Sequence, residues 1–222
     1  MSIVIAVDGT AASGKGTLAK KLAQHFGFAH LDSGALYRLA AHSVLEAGGD
    51  PANEADALKG AQTIDFNLAG DPRIRTDIVG KAASQVAAIP AVREALLDFQ
   101  KNFLAKPPGG GPGAVMDGRD IGTVICPTAT AKLYVDAAVE VRARRRWSEL
   151  KAMGIRRAEQ DVVAELAARD AADKSRPISP LKQADDADLL DTTDLGIDAA
   201  FAAALALVSP KVDGALKDRH RG

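Results

Sequence analysis

The chain opens on an apolar run with β-branched residues, Ile3-Val4-Ile5-Ala6-Val7, which ends at Asp8 and turns into Gly9-Thr10-Ala11-Ala12-Ser13-Gly14-Lys15-Gly16-Thr17. This stretch constrains the fold more than any other. The run before it has the character of a strand buried on both faces. The residues after it place Leu18, Leu22 and Phe26 at four-residue spacing, one face of a helix that Gly27 stops. Between them lies Gly-x4-Gly-Lys with a further glycine before the threonine. Glycines let consecutive backbone N–H groups converge on an anion, and the helix N-terminus adds unsatisfied donors and a partial positive charge. Lys15 supplies a full charge for the β- and γ-phosphates of a nucleoside triphosphate, and the Thr17 hydroxyl stands where it can ligate Mg²⁺. Residues 9–17 are therefore the expected ATP-binding loop.

The rest of the chain repeats the alternation of strand and helix. A second strand is expected at 28–31, and Asp32-Ser33-Gly34 opens a helix that runs to about Ala47 before Gly48-Gly49-Asp50-Pro51 breaks it. Helix is expected over 82–106, interrupted at Pro90, and a Pro/Gly loop at 107–113. Strands follow at 114–117, 131–136 and 189–191. Arginine-bearing helices are expected at 138–153 and 161–173, and a last helix after residue 191. Residues 64–68 alternate apolar and polar and are expected to form an exposed strand in a small lobe. This order predicts an α/β protein of three layers, α/β/α, around a five-stranded parallel sheet. The expected division is a core of 1–50, 82–137 and 178–222, an inserted lobe of about 51–81 and a helical lid of about 138–177, in one domain of 222 residues.

Composition narrows the partners. Formal net charge is -1, with 26% charged residues. This gives no general attraction to polymeric nucleic acid or acidic membranes. The single cysteine, Cys126, forms no internal disulfide and suits a reducing compartment. The N-terminus lacks the pattern of a signal peptide, and the apolar run 199–208 is about half a membrane span. A cytoplasmic monomer is expected. The histidines show no metal-ligand spacing, so a protein-built zinc site is not expected. No Asn-Lys-x-Asp sequence of a guanine reader occurs.

Several polar residues carry two readings. Asp32 and Ser33 fit N-capping as well as ligand binding at a strand's carboxyl end. Asp117, after Ala114-Val115-Met116, fits either a turn or a water-mediated hold on Mg²⁺. Arg142, Arg145 and Arg146 share a helix face, as do Arg169, Asp173 and Arg176. Such faces serve solvation, or the neutralisation of clustered phosphates. Trp147 is expected to pack, and Gly154 to end a helix or serve as a hinge.

Four motifs together resemble the bacterial cytidylate kinases, a family of nucleoside monophosphate kinases that fold around a P-loop. They are Gly14-Lys15-Gly16-Thr17, Leu31-Asp32-Ser33-Gly34-Ala35-Leu36-Tyr37-Arg38, Ala83-Ser84-Gln85-Val86-Ala87-Ala88 with Val92-Arg93-Glu94, and Asp117-Gly118-Arg119-Asp120-Ile121-Gly122-Thr123. The resemblance runs from the first strand to at least Arg176. It implies transfer of the γ-phosphoryl group of ATP to CMP or dCMP, with Mg²⁺. By the same resemblance, Ser84, Arg93 and Asp120 read the cytosine edge. Asp32, Ser33, Tyr37, Arg38 and Arg119 hold and position the monophosphate, and Arg169, Asp173 and Arg176 hold its ribose and phosphate. Lys15, Arg142, Arg145 and Arg169 act on the transferred group, with Arg146 beside them in the lid. The segment 65–81 is shorter than in the longer bacterial members, so the family's three-stranded inserted sheet is expected to be reduced. A kinase of this fold acting on UMP or another small acceptor, and a nucleotide switch without transfer chemistry, are the competing readings.

Overall fold

A computed structural model describes residues 2–219 and shows two compact units, one of residues up to 31 and from 104 onward, the other Asp32–Phe103. The first unit is built on five strands, β1 (Ile3–Gly9), β2 (Ala29–Asp32), β3 (Gly113–Gly118), β4 (Ala131–Asp136) and β5 (Asp188–Asp191), in the order β2-β3-β1-β4-β5. The expected five-stranded parallel sheet is thus present. β1 runs parallel to β3 and β4, and β4 to β5, with Val7 opposite Asp117 and Leu133. Every residue of β1 is buried, as a central parallel strand covered on both faces requires.

On one face, Ile3, Ile5, Val7, Val115, Leu133 and Val135 pack against Leu18 and Leu22 of α1 (Lys15–Phe26). The same core includes Ala200, Ala204, Val208 and Val212, four residues apart along the last helix, Ile197–Arg219. That helix is apolar and long enough, by length and composition, to cross a membrane. Its small residues at four-residue spacing nevertheless form a stripe buried in this core. The helices Val139–Ala152 and Glu159–Ser175 join through Ala143, Leu150, Val162 and Leu166, with Trp147 packed on the cluster as expected. The Trp147 indole Nε1 donates to Arg157 O at 2.9 Å, which gives the ring its polar outlet.

The second unit is helical. α2 (Ser33–Glu46) receives α3 (Glu54–Gln62) at close range. A Cβ on Gly60 would lie 2.5 Å from Val44 Cγ2 and 2.7 Å from Ala40 O, so a larger residue would force the helices apart. Two 3-10 turns follow, at Phe66–Leu68 and Pro72–Arg75, then α4 (Asp77–Val86) and α5 (Pro90–Ala105). In the first unit the chain continues through α6 (Val139–Ala152), α7 (Glu159–Ser175) and, after β5, α8 (Ile197–Arg219).

The exposed strand expected at 64–68 is not formed. Asp65 accepts from the Asn67 backbone at 2.9 Å and Asp71 from that of Arg73 at 2.8 Å, so each aspartate closes a local turn. Such turns compete with extended structure for the same backbone groups. Phe66 supplies the apolar signal by stacking on Phe99, with centroids 4.9 Å apart, rather than by facing a neighbouring strand. Residues 33–103 contain no strand, so the expected reduction of the inserted sheet is complete. The compact unit found here also takes in α2 and most of α5, beyond the expected lobe of 51–81.

Candidate active site

β1 delivers the chain into residues 9–17 with Gly9 in register beside Val135 of β4. Gly9 has φ +150°, and a Cβ on it would sit 1.9 Å from the carbonyl oxygen of Val135, so no side chain fits there. Ala12 and Gly14 take the left-handed region with φ 58° and 87°, and Gly14 caps α1 without a side-chain bond. The loop's carbonyls are turned into the protein. Thr10 O accepts from Ser13 Oγ at 3.0 Å and from Lys15 Nζ at 3.1 Å, and Ser13 O accepts from Thr192 Oγ1 at 3.1 Å. Thr10 Oγ1 donates to Asp136 Oδ1 at 2.6 Å. A backbone held by its carbonyls can present its N–H groups as an anion nest at the start of a twelve-residue helix. Lys15 and Gly16 are half-buried and Thr17 is exposed at the first turn of that helix, open to a ligand.

The structure separates the arginines of α6. Arg142 is buried and donates to Ala137 O at 2.7 Å and to Ala11 O at 2.9 Å, and it lies 2.7 Å from Asp170 Oδ2. Asp170 Oδ1 in turn accepts from the Ala11 N–H at 3.3 Å. One ion pair between α6 and α7 therefore grips both sides of a loop residue. Arg145 donates to Thr192 O at 2.6 Å and to Leu195 O at 3.2 Å. Arg146 lies 3.4 Å from Glu149 and is half-buried. In this arrangement Arg142 and Arg145 anchor the loop and the chain after β5. Gly154 has φ 78° and ends α6, the simpler of its two expected uses.

Two acids sit at strand ends beside the loop. Asp8 is buried and accepts from the backbone N–H of Ile121 at 2.8 Å and of Gly122 at 2.7 Å. Burial pushes its carboxyl up to about 7, against those two bonds and the charge of Lys15. Asp117, at the end of β3, bonds His30 Nε2 at 2.8 Å. Its Oδ2 lies 3.4 Å from where a Cβ on Gly16 would be, so this carboxylate borders the loop and not only a turn.

A second charged group gathers around Asp173. Its carboxylate meets Arg119 Nε at 2.7 Å and Arg176 Nη2 at 3.0 Å, with all three side chains largely buried. Burial works against each charge, and the opposite charges outweigh it. The Asp173 carboxyl is held below its usual range and the Arg119 guanidinium above its own. For Arg169 the pull of Asp173, Asp170 and Glu165 is outweighed. Burial and the neighbouring Arg119 push its guanidinium down, and its buried Nε has no hydrogen-bond partner among the described residues. Three arginines gather around the carboxylate of Asp173, with Asp170 also acting on Arg119 and Arg169, and a cluster of three cations is suited to an anion.

The second unit carries the remaining expected residues. Asp32 is the N-cap of α2, accepting from Ala35 N at 3.0 Å, and its other oxygen meets Arg75 at 3.0 Å. Capping and a charged contact therefore coexist at this residue. The Arg93 guanidinium lies over the Tyr37 ring, 5.5 Å from its centroid, and donates to Ala87 O at 3.3 Å. Arg38 donates to Ile74 O at 3.0 Å, and Ser84 Oγ donates to Gly80 O at 3.3 Å. Gly80 gives Arg38 room, since a Cβ there would approach its Nη2 to 3.3 Å. Ser33 is buried at the start of α2. Within this unit, Ser84 and Arg38 each lie against Gly80, and Tyr37 meets Arg93.

Asp8, His30, Asp136 and Asp170 were not among the residues expected from sequence. Asp8 had a visible signal, as an acid ending an apolar strand next to a glycine loop. The others act through partners distant in the chain.

A family model described as cytidylate kinase matches residues 5–209. The chain is 51% identical over 206 residues to a cytidylate kinase of Nitrobacter winogradskyi, covering 93% of this chain and 95% of that one. It is 49% identical over 209 residues to a cytidylate kinase of Rhodospirillum rubrum, covering 94% and 98%. The solved structure of an uncharacterized protein from Eubacterium ventriosum shares the fold with a TM-score of 0.55 at 15% identity, covering 95% of this chain and 99% of that one. With the family model matched over residues 5–209 and about half of the residues identical along nearly the whole length of named relatives, the chain belongs to the cytidylate kinase family.

Proposed function

We infer that this chain transfers the γ-phosphoryl group of ATP to CMP or dCMP, giving ADP and CDP or dCDP. The observation that carries the reading is the pairing of two anion sites of different build within one unit. One is the glycine-rich nest of residues 9–17, and the other is the net positive group of Arg119, Arg169, Arg176 and Asp173. A hydrolase or a nucleotide switch needs the first alone. A monophosphate acceptor gives the second its use.

In this reading, residues 9–17 bind ATP, with Lys15 at the β- and γ-phosphates. Mg²⁺ would neutralise phosphate charge, held by the Thr17 hydroxyl and phosphate oxygens, with Asp117 behind a water. The exposed Thr17 and the carboxylate of Asp117 beside Gly16 fit such an ion. Asp32, Ser33, Tyr37, Arg38 and Arg119 position the acceptor monophosphate, and Arg169, Asp173 and Arg176 hold its ribose and phosphate. Ser84, Arg93 and Asp120 read the cytosine edge. An acceptor phosphate is already anionic, so the reaction needs alignment and charge stabilisation rather than a strong base. Arg169 is the lid arginine we assign to the transferred group, because its buried Nε has no hydrogen-bond partner among the described residues. Arg142 and Arg145 serve catalysis by holding the loop. Uracil presents a carbonyl where cytosine has its amine, so Asp120 facing UMP loses a bond worth on the order of 1–3 kcal/mol. We further propose a cytoplasmic monomer. A net charge of -1 supports small-molecule partners over nucleic acid polymers or membranes.

The test is a coupled assay of ADP formation with ATP and Mg²⁺, offering CMP, dCMP, UMP, AMP and GMP in turn. Turnover with CMP and dCMP well ahead of UMP is expected. No acceptor-dependent ADP with any of the five would refute the reading.

A further inference from the structure

Asp8 stands outside every role assigned so far, yet it is the acid nearest the point where the loop leaves the sheet. It lies on the central strand, in register with Gly118 of β3 and Tyr134 of β4. Its Oδ1 accepts from Ile121 N at 2.8 Å and its Oδ2 from Gly122 N at 2.7 Å. Both oxygens are thus committed to consecutive peptides of one segment. The first of those peptides joins Asp120 to Ile121, so the bond to Ile121 N fixes the backbone torsion on the carboxyl side of Asp120. The Asp120 carbonyl of the same peptide is held from its other side, accepting from Val124 N at 2.9 Å and Ile125 N at 3.1 Å. Asp120 sits at φ −145° and ψ 24° in this clamp. A bulkier residue at position 122 would meet Lys132 Cδ at 3.1 Å and Asp8 Oδ2 at 3.4 Å, so the segment has no room to slide along the carboxylate.

A buried carboxylate with both oxygens bonded is costly to keep unless its geometry serves something. N-capping does not explain it, because the segment after Asp120 is a single π-type turn, Ile121–Ile125, rather than a regular helix. What the two bonds accomplish is a fixed direction for Asp120, one residue away from the first pinned amide.

We propose that Asp8 is a positioning residue for Asp120 and, through it, sets the choice of cytosine over uracil in the acceptor. The inference rests on the functional reading above, in which Asp120 meets the cytosine amine. It ties the strand that feeds the ATP loop to the segment that reads the acceptor base. A shift of a few tenths of an ångström in Asp120 lengthens or bends the bond to the amine, and hydrogen bonds weaken steeply with such misalignment. The charge of Asp8 also reaches Lys15 beside the loop, so the ratio between CMP and UMP is what isolates its effect on the acceptor side.

The experiment compares the wild type with Asp8→Asn and Gly122→Ala, measuring kcat and KM for CMP, for UMP and for ATP. Asp8→Asn keeps the shape but sets an NH2 group against a backbone N–H. Gly122→Ala presses on the same contact from the opposite side, against the flexible stem of Lys132. Both are expected to raise KM for CMP about tenfold, the scale of one weakened bond to a charged group. Both are expected to narrow the CMP-to-UMP ratio of kcat/KM at least about fivefold, while KM for ATP stays within about twofold. An unchanged ratio in a folded variant would overturn the proposal. So would a rise in KM for ATP and CMP together at constant ratio, which would make Asp8 a support of the loop alone. If Asp8→Asn does not fold, Gly122→Ala decides by the same ratio. A wild type that makes no CMP-dependent ADP sinks the functional reading itself, and is seen before either variant is made.

Discussion

Asp173→Asn is the sharpest perturbation of the charged group on α7. The substitution keeps shape and removes one charge. In the native protein that charge meets Arg119 at 2.7 Å and Arg176 at 3.0 Å, with side-chain exposures of 8% for Asp173 and Arg176 and 16% for Arg119. Two charge-assisted hydrogen bonds of about 1.5–3 kcal/mol each are lost or weakened. Arg119, Arg169 and Arg176 are then left as three buried cations without the carboxylate charge they share. Breaking a buried pair by removing one partner costs about 3–5 kcal/mol, so the variant is expected to lose roughly that much. For a chain of this size each kcal/mol is worth about 2–4 °C, so the melting temperature should fall by roughly 6–20 °C. The pH course is specified too. The folded carboxyl lies below its unfolded value, so its stabilisation is complete above the unfolded pKa and is lost as pH falls through the folded one. The gap between wild type and variant should therefore hold from pH 5 to 8 and close in acid. Urea unfolding across that range measures it. A loss under about 1 kcal/mol at pH 7 would refute the reasoning, because the pairs would then return no more than their burial costs.

The other predictions rest on separate contacts. Asp8→Asn tests the raised carboxyl. A folded pKa of about 7 above an unfolded 3.8 means that ionised Asp8 costs stability, with none of the cost present below pH 4 and all of it above 7. Wild type should lose stability relative to the variant as pH rises across that window, by a few kcal/mol in order of magnitude, and parallel unfolding curves would contradict this. Gly9→Ala should not give a folded protein, since its Cβ would lie 1.9 Å from Val135 O, whereas Gly14→Ala meets nothing within 4 Å and should cost only the left-handed penalty of about 1 kcal/mol, both read by thermal melts. Arg142→Lys removes the planar group that reaches Ala137 O, Ala11 O and Asp170 together. It should destabilise by about 3 kcal/mol and raise KM for ATP more than KM for CMP, and the reverse order would place Arg142 on the acceptor side.

What the sequence disclosed, and what it hid, follows from the range of the interactions. Residues 9–17 were legible because strand, glycines, lysine and helix face are local, and the positive φ at Gly9 and Gly14 is the reason for glycine there. The order of strands and helices was legible for the same reason. The segment 64–76 was not, because Asp65 and Asp71 close turns that an alternating pattern does not reveal, and Phe66 finds its partner in Phe99. The shared face of Arg142, Arg145 and Arg146 was visible as spacing, but not its division. Arg142 is buried because Asp170, a full helix later, compensates it beneath the loop. Asp173 could be placed on one face with Arg169 and Arg176, whereas its contact with Arg119 spans 54 residues and needed the fold.

The central claim is that this chain moves a phosphoryl group from ATP to a cytidine monophosphate. Coupled ADP formation with CMP and with UMP, each at matched concentration with ATP and Mg²⁺, tests it most directly. The account predicts rapid ADP formation that depends on CMP, with kcat/KM for UMP lower by about tenfold or more, the scale of one unmatched polar pair. ADP formation that is the same with CMP, with UMP and with no acceptor would contradict it.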